Sequence, residues 1–163
     1  MRIPAGNAVA KLKAKQTFVD PDRGPLLSPR FIIAVVLMLL GIAWIAYYYA
    51  AVRVDPNVFP APKAGSPAFM ADLLRWNYLI GFGLFFLGLL MSAHPDTPLG
   101  RNRGVVVGML ACFLLGLLWI CTFYVLSGDQ LPKVPVFNDL SQFNLMVGIA
   151  FMAVGFSFAT RWE

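Results

Sequence analysis

The chain alternates between long apolar runs and short polar stretches. No Asp, Glu, Lys, Arg or His occurs from Phe31 to Val52, from Trp76 to Ala93, from Gly104 to Gly128, or from Leu140 to Thr160. A helix that crosses a bilayer needs about 20 mostly apolar residues, within a range of roughly 17–25. All four runs reach that length, and a soluble domain of this size cannot wrap four such segments in polar surface. The pattern therefore predicts an all-α membrane protein with four transmembrane helices. Span 1 covers Phe31 to Val52, span 2 Trp76 to Ala93, span 3 Gly104 to about Leu126, and span 4 about Gln142 to Thr160.

The polar stretches predict how the spans are threaded. Residues 1–30 hold six Lys/Arg and four prolines, which predicts a largely unstructured basic tail with a short helix around residues 8–16. The tail has no apolar signal-peptide core, so span 1 is expected to be retained. Loop 1, Arg53 to Arg75, and loop 3, "SGDQLPKVPVFND", carry spaced prolines, whereas loop 2, "HPDTPLGRNR", is short. Lys and Arg near span ends favour the cytoplasmic side. The tail, loop 2 and the C-terminus hold nine of them, and loops 1 and 3 hold four. Both termini and loop 2 are thus predicted in the cytoplasm, with loops 1 and 3 outside. Trp76 and the tyrosines at 47–49 then fall at the outer interface and Trp162 at the inner one.

The apolar runs also repeat. "RWNYLIGFGLFFLGLLMSAH", residues 75–94, falls on "QFNLMVGIAFMAVGFSFATR", residues 142–161, after a shift of 67. Asn77 meets Asn144, Gly81 meets Gly148 and Gly88 meets Gly155. "LLGIAW" falls on "LLGLLW" after a shift of 75, so Gly41 meets Gly116 and Trp44 meets Trp119. Each repeat is two spans and an outer loop. A two-span unit starts and finishes on one side, so its copy inserts the same way up. The halves are predicted to be parallel repeats about an axis along the membrane normal. The domains are then a basic tail, 1–30, a first two-span repeat, 31–94, and a second, 95–163.

Composition removes most chemistry. The spans hold no acid, which argues against a proton-coupled exporter. A transporter or channel would also show polar residues at mid-membrane, where these spans hold Gly, Phe and Leu. His94 is the only histidine, so one chain cannot form a bis-histidine haem site, and a solvated His at a span end is expected. Phosphate loops, nucleophile elbows and zinc spacings are absent from the sequence. No catalytic residue, metal or cofactor is expected. The net charge of +5 sits beside spans, where orientation and anionic lipid explain it better than nucleic acid does. Cys112 and Cys121 are nine residues apart, about 900° around a helix and about 13.5 Å along it, so they cannot pair with each other.

Small residues form stripes. Gly81, Gly88 and Ser92 stay within about 40° of one another on a helix, as do Gly148, Gly155 and Ala159. Gly104, Gly108, Cys112 and Gly116 follow a four-residue spacing. Such faces let helices approach closely in lipid. They are expected to pack the four spans together, with docking of a partner's span as the other use. Asn77 and Asn144 sit just inside the outer interface. Helix-start capping, aided by Asp72 and Asp139, or interfacial hydration is expected for them, with binding to a partner or to each other as the other use, and "DLSQ" at 139–142 has the spacing of a capping box.

Each half resembles the actinobacterial cell-division protein CrgA family. The resemblance rests on "SPRFIIAVVLMLLGIAWIAYYYAA", on "WNYLIGFGLFFLGLLMS" and on the ending "FNLMVGIAFMAVGFSFATRWE". The second half lacks the long basic tail and has Phe143 where the family's W-N-Y run has Trp. The resemblance implies a septation factor in the cell membrane. Its implied partners are divisome membrane proteins, including septal peptidoglycan synthases, and the tubulin-like ring protein. The basic tail would add anionic lipid, and self-association into homo-oligomers stays open. The competing expectation is an accessory small subunit of another membrane complex, such as a respiratory assembly.

Overall fold

The computed structural model describes residues 27–55, 58–60 and 62–160. Nearly all of the predicted basic tail, and Trp162, lie outside the described residues. Six α-helices occur among the described residues: α1 (Pro29–Tyr47), α2 (Ala68–Leu73), α3 (Trp76–Ser92), α4 (Arg103–Leu126), α5 (Phe137–Leu140) and α6 (Phe143–Ala159). A π-turn, Tyr48–Val52, extends α1, and a 3₁₀ turn, Leu131–Lys133, precedes α5.

Local chemistry sets the helix ends. Ser28 is extended, and its hydroxyl accepts the Phe31 N–H at 3.2 Å. Pro29 follows in the first turn, where its missing N–H costs nothing. At the other end of α1 the Arg53 N–H reaches the Tyr48 carbonyl at 2.8 Å, closing the π-turn. Beyond α4 the chain turns at Gly128, whose φ of +101° suits a residue without a Cβ.

Two segments, Pro29–Val52 and Arg103–Leu126, are long and apolar enough to cross a bilayer, at 24 residues each. Helices α3 and α6 are shorter, at 17 residues each. They reach about 26 Å, less than the ~30 Å hydrocarbon core. The stretches expected for spans 2 and 4, Trp76 to Ala93 and about Gln142 to Thr160, are those that α3 and α6 occupy, and both helices are shorter than the two long segments. The cause is a break before each short helix. Leu74 and Ser141 take φ values of +46° and +47°, which separates α2 from α3 and α5 from α6.

Helix surfaces fit an apolar surrounding. Only 17% of the apolar window in the first long segment and 22% of that in the second is buried. Leu39, Leu40, Leu114, Leu117 and Leu118 are all more than half exposed. Continuous apolar surface of this kind is rare on soluble monomers and is consistent with membrane localisation.

α1 packs along α3, and α4 packs along α6. The two hairpins meet chiefly through α3 and α6. Close backbone approach sets the geometry inside each hairpin. A Cβ at Gly41 would strike the Gly81 carbonyl and come within 2.8 Å of the Phe85 nitrogen. A Cβ at Gly116 would lie 2.7 Å from the Gly148 carbonyl. Ile45 covers Gly81 and Ile120 covers Gly148 in the same way. The two hairpins thus reproduce one crossing at equivalent residues.

Candidate functional site

The first element of the site is the bend before α3 and α6. A helix that stops at Leu74 leaves carbonyls of α2 without partners, and such groups are costly away from water. Asn77 is fully buried, and its Nδ2 donates to the Met70 carbonyl at 2.7 Å and the Leu74 carbonyl at 2.9 Å. Asn144, also fully buried, donates to the Phe137 carbonyl at 2.9 Å and the Ser141 carbonyl at 2.8 Å. Every residue of the second set lies 67 positions after its counterpart. This corrects the capping expectation. The residues preceding α3 and α6, Arg75 and Gln142, make no side-chain cap. The asparagines act backwards as donors, holding the turn that precedes them.

Asp139 departs further from expectation. It caps nothing; it joins the hairpins. Arg53, just past the π-turn, donates through Nε to Asp139 Oδ2 and through Nη2 to Oδ1 at 2.7 Å. Tyr78 on α3 donates its hydroxyl to Oδ2 at 2.6 Å. The Arg53 guanidinium lies 4.8 Å from the centre of the Tyr49 ring, and Asn138 donates to the Tyr49 hydroxyl at 3.3 Å. The Arg53 side chain is 8% exposed and that of Asp139 17%. The hydrogen bond to Asp139 raises the Arg53 pKa above its already high usual value. Stability from that shift would be lost only as pH rises through the raised value, so Arg53 stays charged at any physiological pH.

Below this tie, α3 and α6 separate into a cleft of about 530 Å³. One wall carries Trp76, Leu79 and Gly83, and the other their equivalents Phe143, Met146 and Ala150. Arg75 and Asp139 stand at the mouth. Farther along, Phe86 and Phe151 meet edge to face with centroids 4.9 Å apart, which closes the far end. Equivalent residues at equivalent heights mean that α3 and α6 run parallel.

The glycine stripes face inward. Gly88 abuts the Ala34 carbonyl, 2.5 Å from a would-be Cβ. Gly155 meets Cys112 and Phe113 more loosely, at 3.3 Å. Gly108 lies under the Phe158 ring. Gly104 leaves the predicted ridge and lies against the loop carbonyl of Pro98, because the chain folds back there. Ser92 is buried and donates to the Leu89 carbonyl at 2.6 Å, while Ala159 is half-buried at the end of α6. Trp76 is 63% exposed at the mouth of the cleft. Cys112 is buried and Cys121 exposed, both as free thiols. His94 lies beside Arg30 and Asp96 at the opposite end of the hairpins, partly exposed. No group of three or more His, Cys, Asp or Glu that could hold a metal occurs among the described residues.

Sequence reasoning missed Arg53 and Tyr78, and gave Asp139 another role. A signal was present. At two of these positions the repeats disagree: Arg53 matches Gly128 and Tyr78 matches Leu145, while Asp139 matches an exposed Asp72.

Known proteins agree with the doubled architecture. The family model described as "Cell division protein CrgA" matches residues 9–94 and again residues 97–163. The cell division protein CrgA of Streptomyces avermitilis is 42% identical over 68 residues, which is 42% of this chain and 75% of that protein. CrgA of Corynebacterium glutamicum is 41% identical over 61 residues, 37% of this chain and 54% of that protein. CrgA of Corynebacterium aurimucosum is 40% identical over 67 residues, 40% of this chain and 60% of that protein. The chain thus spans little more than half the length of these corynebacterial relatives. No solved structure matches it. Two successive matches that together cover nearly all of its length place this chain in the CrgA family of cell division proteins, with the family's unit present twice.

Proposed function

We propose that this chain is a non-catalytic, four-span membrane protein that binds divisome proteins and helps recruit or regulate them during septation. The observation that carries the proposal is the family match in both halves. The long apolar helices and their exposed faces support the membrane setting. In this arrangement both termini and loop 2 are cytoplasmic, and the Arg53–Asp139 end is extracytoplasmic. The basic tail attracts the anionic inner leaflet and reaches cytoplasmic division proteins, the tubulin-like ring protein among them.

The structure suggests how the docking work is divided. The glycine stripes are turned toward the sister helix of each hairpin. The exposed apolar faces of α1 and α4 then remain for the spans of partner proteins. The tie between Arg53, Tyr78 and Asp139 fixes the angle between those two faces. The protein acts by holding partners side by side, with no bond made or broken.

Crosslinking in native membranes followed by mass spectrometry tests this. Septal division proteins should be joined to α1 and α4. Recovery of respiratory-complex subunits instead would overturn the proposal and favour an accessory subunit. The orientation is tested separately, in a background lacking Cys112 and Cys121. Cysteines at Ala64 and Val134 should react with an impermeant thiol reagent from outside, and one at Asn102 should not. Labelling of Asn102 alone would reverse the topology.

A further inference from the structure

The cleft between α3 and α6 lies on the join between the repeats, and its dimensions select an occupant. On α3 it runs from Arg75 to Phe86. Eleven helical rises give it a depth of about 16 Å. One leaflet of a bilayer's hydrocarbon core is about 15 Å deep, half of the ~30 Å total. The space between the two walls is about 530 Å³, and a hydrocarbon chain, one methylene wide, fits along it. The walls suit such a chain: Trp76, Leu79, Phe82, Phe143 and Met146 offer mainly apolar surface, and a Cβ at Gly83 would find nothing within 4 Å.

Charge at the mouth points to the headgroup. Asp139 is already held by Arg53 and Tyr78. Arg75 lines the mouth, lies in an exposed position and has no ion pair among the described residues. A guanidinium binds phosphate through two parallel hydrogen bonds. Trp76 and Phe143 flank that level, where aromatic side chains favour the headgroup region.

We propose that the cleft is a phospholipid site. One acyl chain fills the space between α3 and α6, and the phosphate pairs with Arg75 in the leaflet at the Arg53 end. The bound chain substitutes for the side-chain packing that the repeats lack there, so lipid becomes part of the joint between them. This rests on the membrane setting proposed above but not on the division role.

The test uses the full chain in bilayers containing phosphatidylglycerol with a photoreactive group in one acyl chain. Mapped crosslinks should concentrate at Leu79, Gly83, Met146 and Ala150, above the level at Leu39 and Leu114, which are as exposed as Leu79 and Met146. Even labelling of all exposed faces would overturn the lipid site while leaving the membrane setting intact. Absence of labelling anywhere would overturn both. Native mass spectrometry supplies the second readout. The wild-type chain should retain phosphatidylglycerol over a diacylglycerol with the same chains, and Arg75→Gln should reduce that retention roughly tenfold. Gly83→Phe should displace both lipids. Equal retention of the two lipids by wild type and Arg75→Gln would exclude a phosphate contact at Arg75.

Discussion

The two hairpins agree at their centres and differ most at the Arg53 end. At mid-helix Gly41, Ile45 and Gly81 in the first repeat have the same arrangement as Gly116, Ile120 and Gly148 in the second. The bends agree as well, with Asn77 and Asn144 donating to carbonyls three and seven residues upstream. At the Arg53 end the agreement stops. Arg53 and Tyr78 come from the first repeat and Asp139 from the second. The reciprocal set would be Gly128, Leu145 and Asp72, which cannot form an ion pair. What builds each unit is present twice; what joins the units is present once. A covalently joined pair requires only one such tie, which frees the reciprocal positions to change.

This contrast can be broken experimentally. The largest effect is expected at the single tie. Asp139→Leu removes the bidentate partner of the nearly buried Arg53 and leaves it only Asp55, 3.7 Å away; it should cost about 3 kcal/mol, the low end for broken buried pairs. Asp72→Leu, its exposed counterpart, should change stability by less than about 0.5 kcal/mol. Thermal melting in detergent micelles reads both, and equal losses would erase the asymmetry. The charge exchange Arg53→Asp with Asp139→Arg should recover part of what either single change loses.

At the shared crossing the two repeats should respond alike. Gly41→Leu and Gly116→Leu should each cost about 2 kcal/mol through overpacking, and a large difference between them would show that the hairpins are not equivalent. Gly88→Ala should cost more than Gly155→Ala, since Gly88 abuts a backbone carbonyl at 2.5 Å and Gly155 meets side chains at 3.3 Å. The bends come next. Asn77→Leu and Asn144→Leu each leave two carbonyls without their donor and should cost about 1–2 kcal/mol. The smallest effect belongs to Gly83→Ala, whose added methyl enters open space; it should leave the melting temperature unchanged.

Much of this was legible in the sequence. Charge-free runs located the four apolar helices, because a run without ionisable groups has few other uses. The 67- and 75-residue shifts exposed the repeat, because glycines at a crossing cannot be exchanged for larger residues. The one-turn helices α2 and α5 were not legible. Four to six residues carry too little periodicity, and no cap marks their ends. The direction of the asparagine hydrogen bonds was hidden for a related reason. An amide near a helix start can accept from the helix or donate backwards, and only the position of the preceding carbonyls decides. The Arg53–Asp139 tie joins residues 86 positions apart, and spacing along the chain says nothing about such a pair. The cleft was illegible too, since it depends on the angle between two helices.

Localisation in living cells tests whether this doubled unit serves cell division. A fluorescent fusion of the full chain, imaged through division, should concentrate at mid-cell before the septum closes. Replacing α3 with a generic Leu/Ala helix should disperse it over the membrane, and deleting residues 1–25 should leave it at mid-cell while disturbing septum formation. A fusion spread evenly over the membrane of dividing cells, whose loss leaves septa in place but lowers oxygen consumption, would rule out the division role.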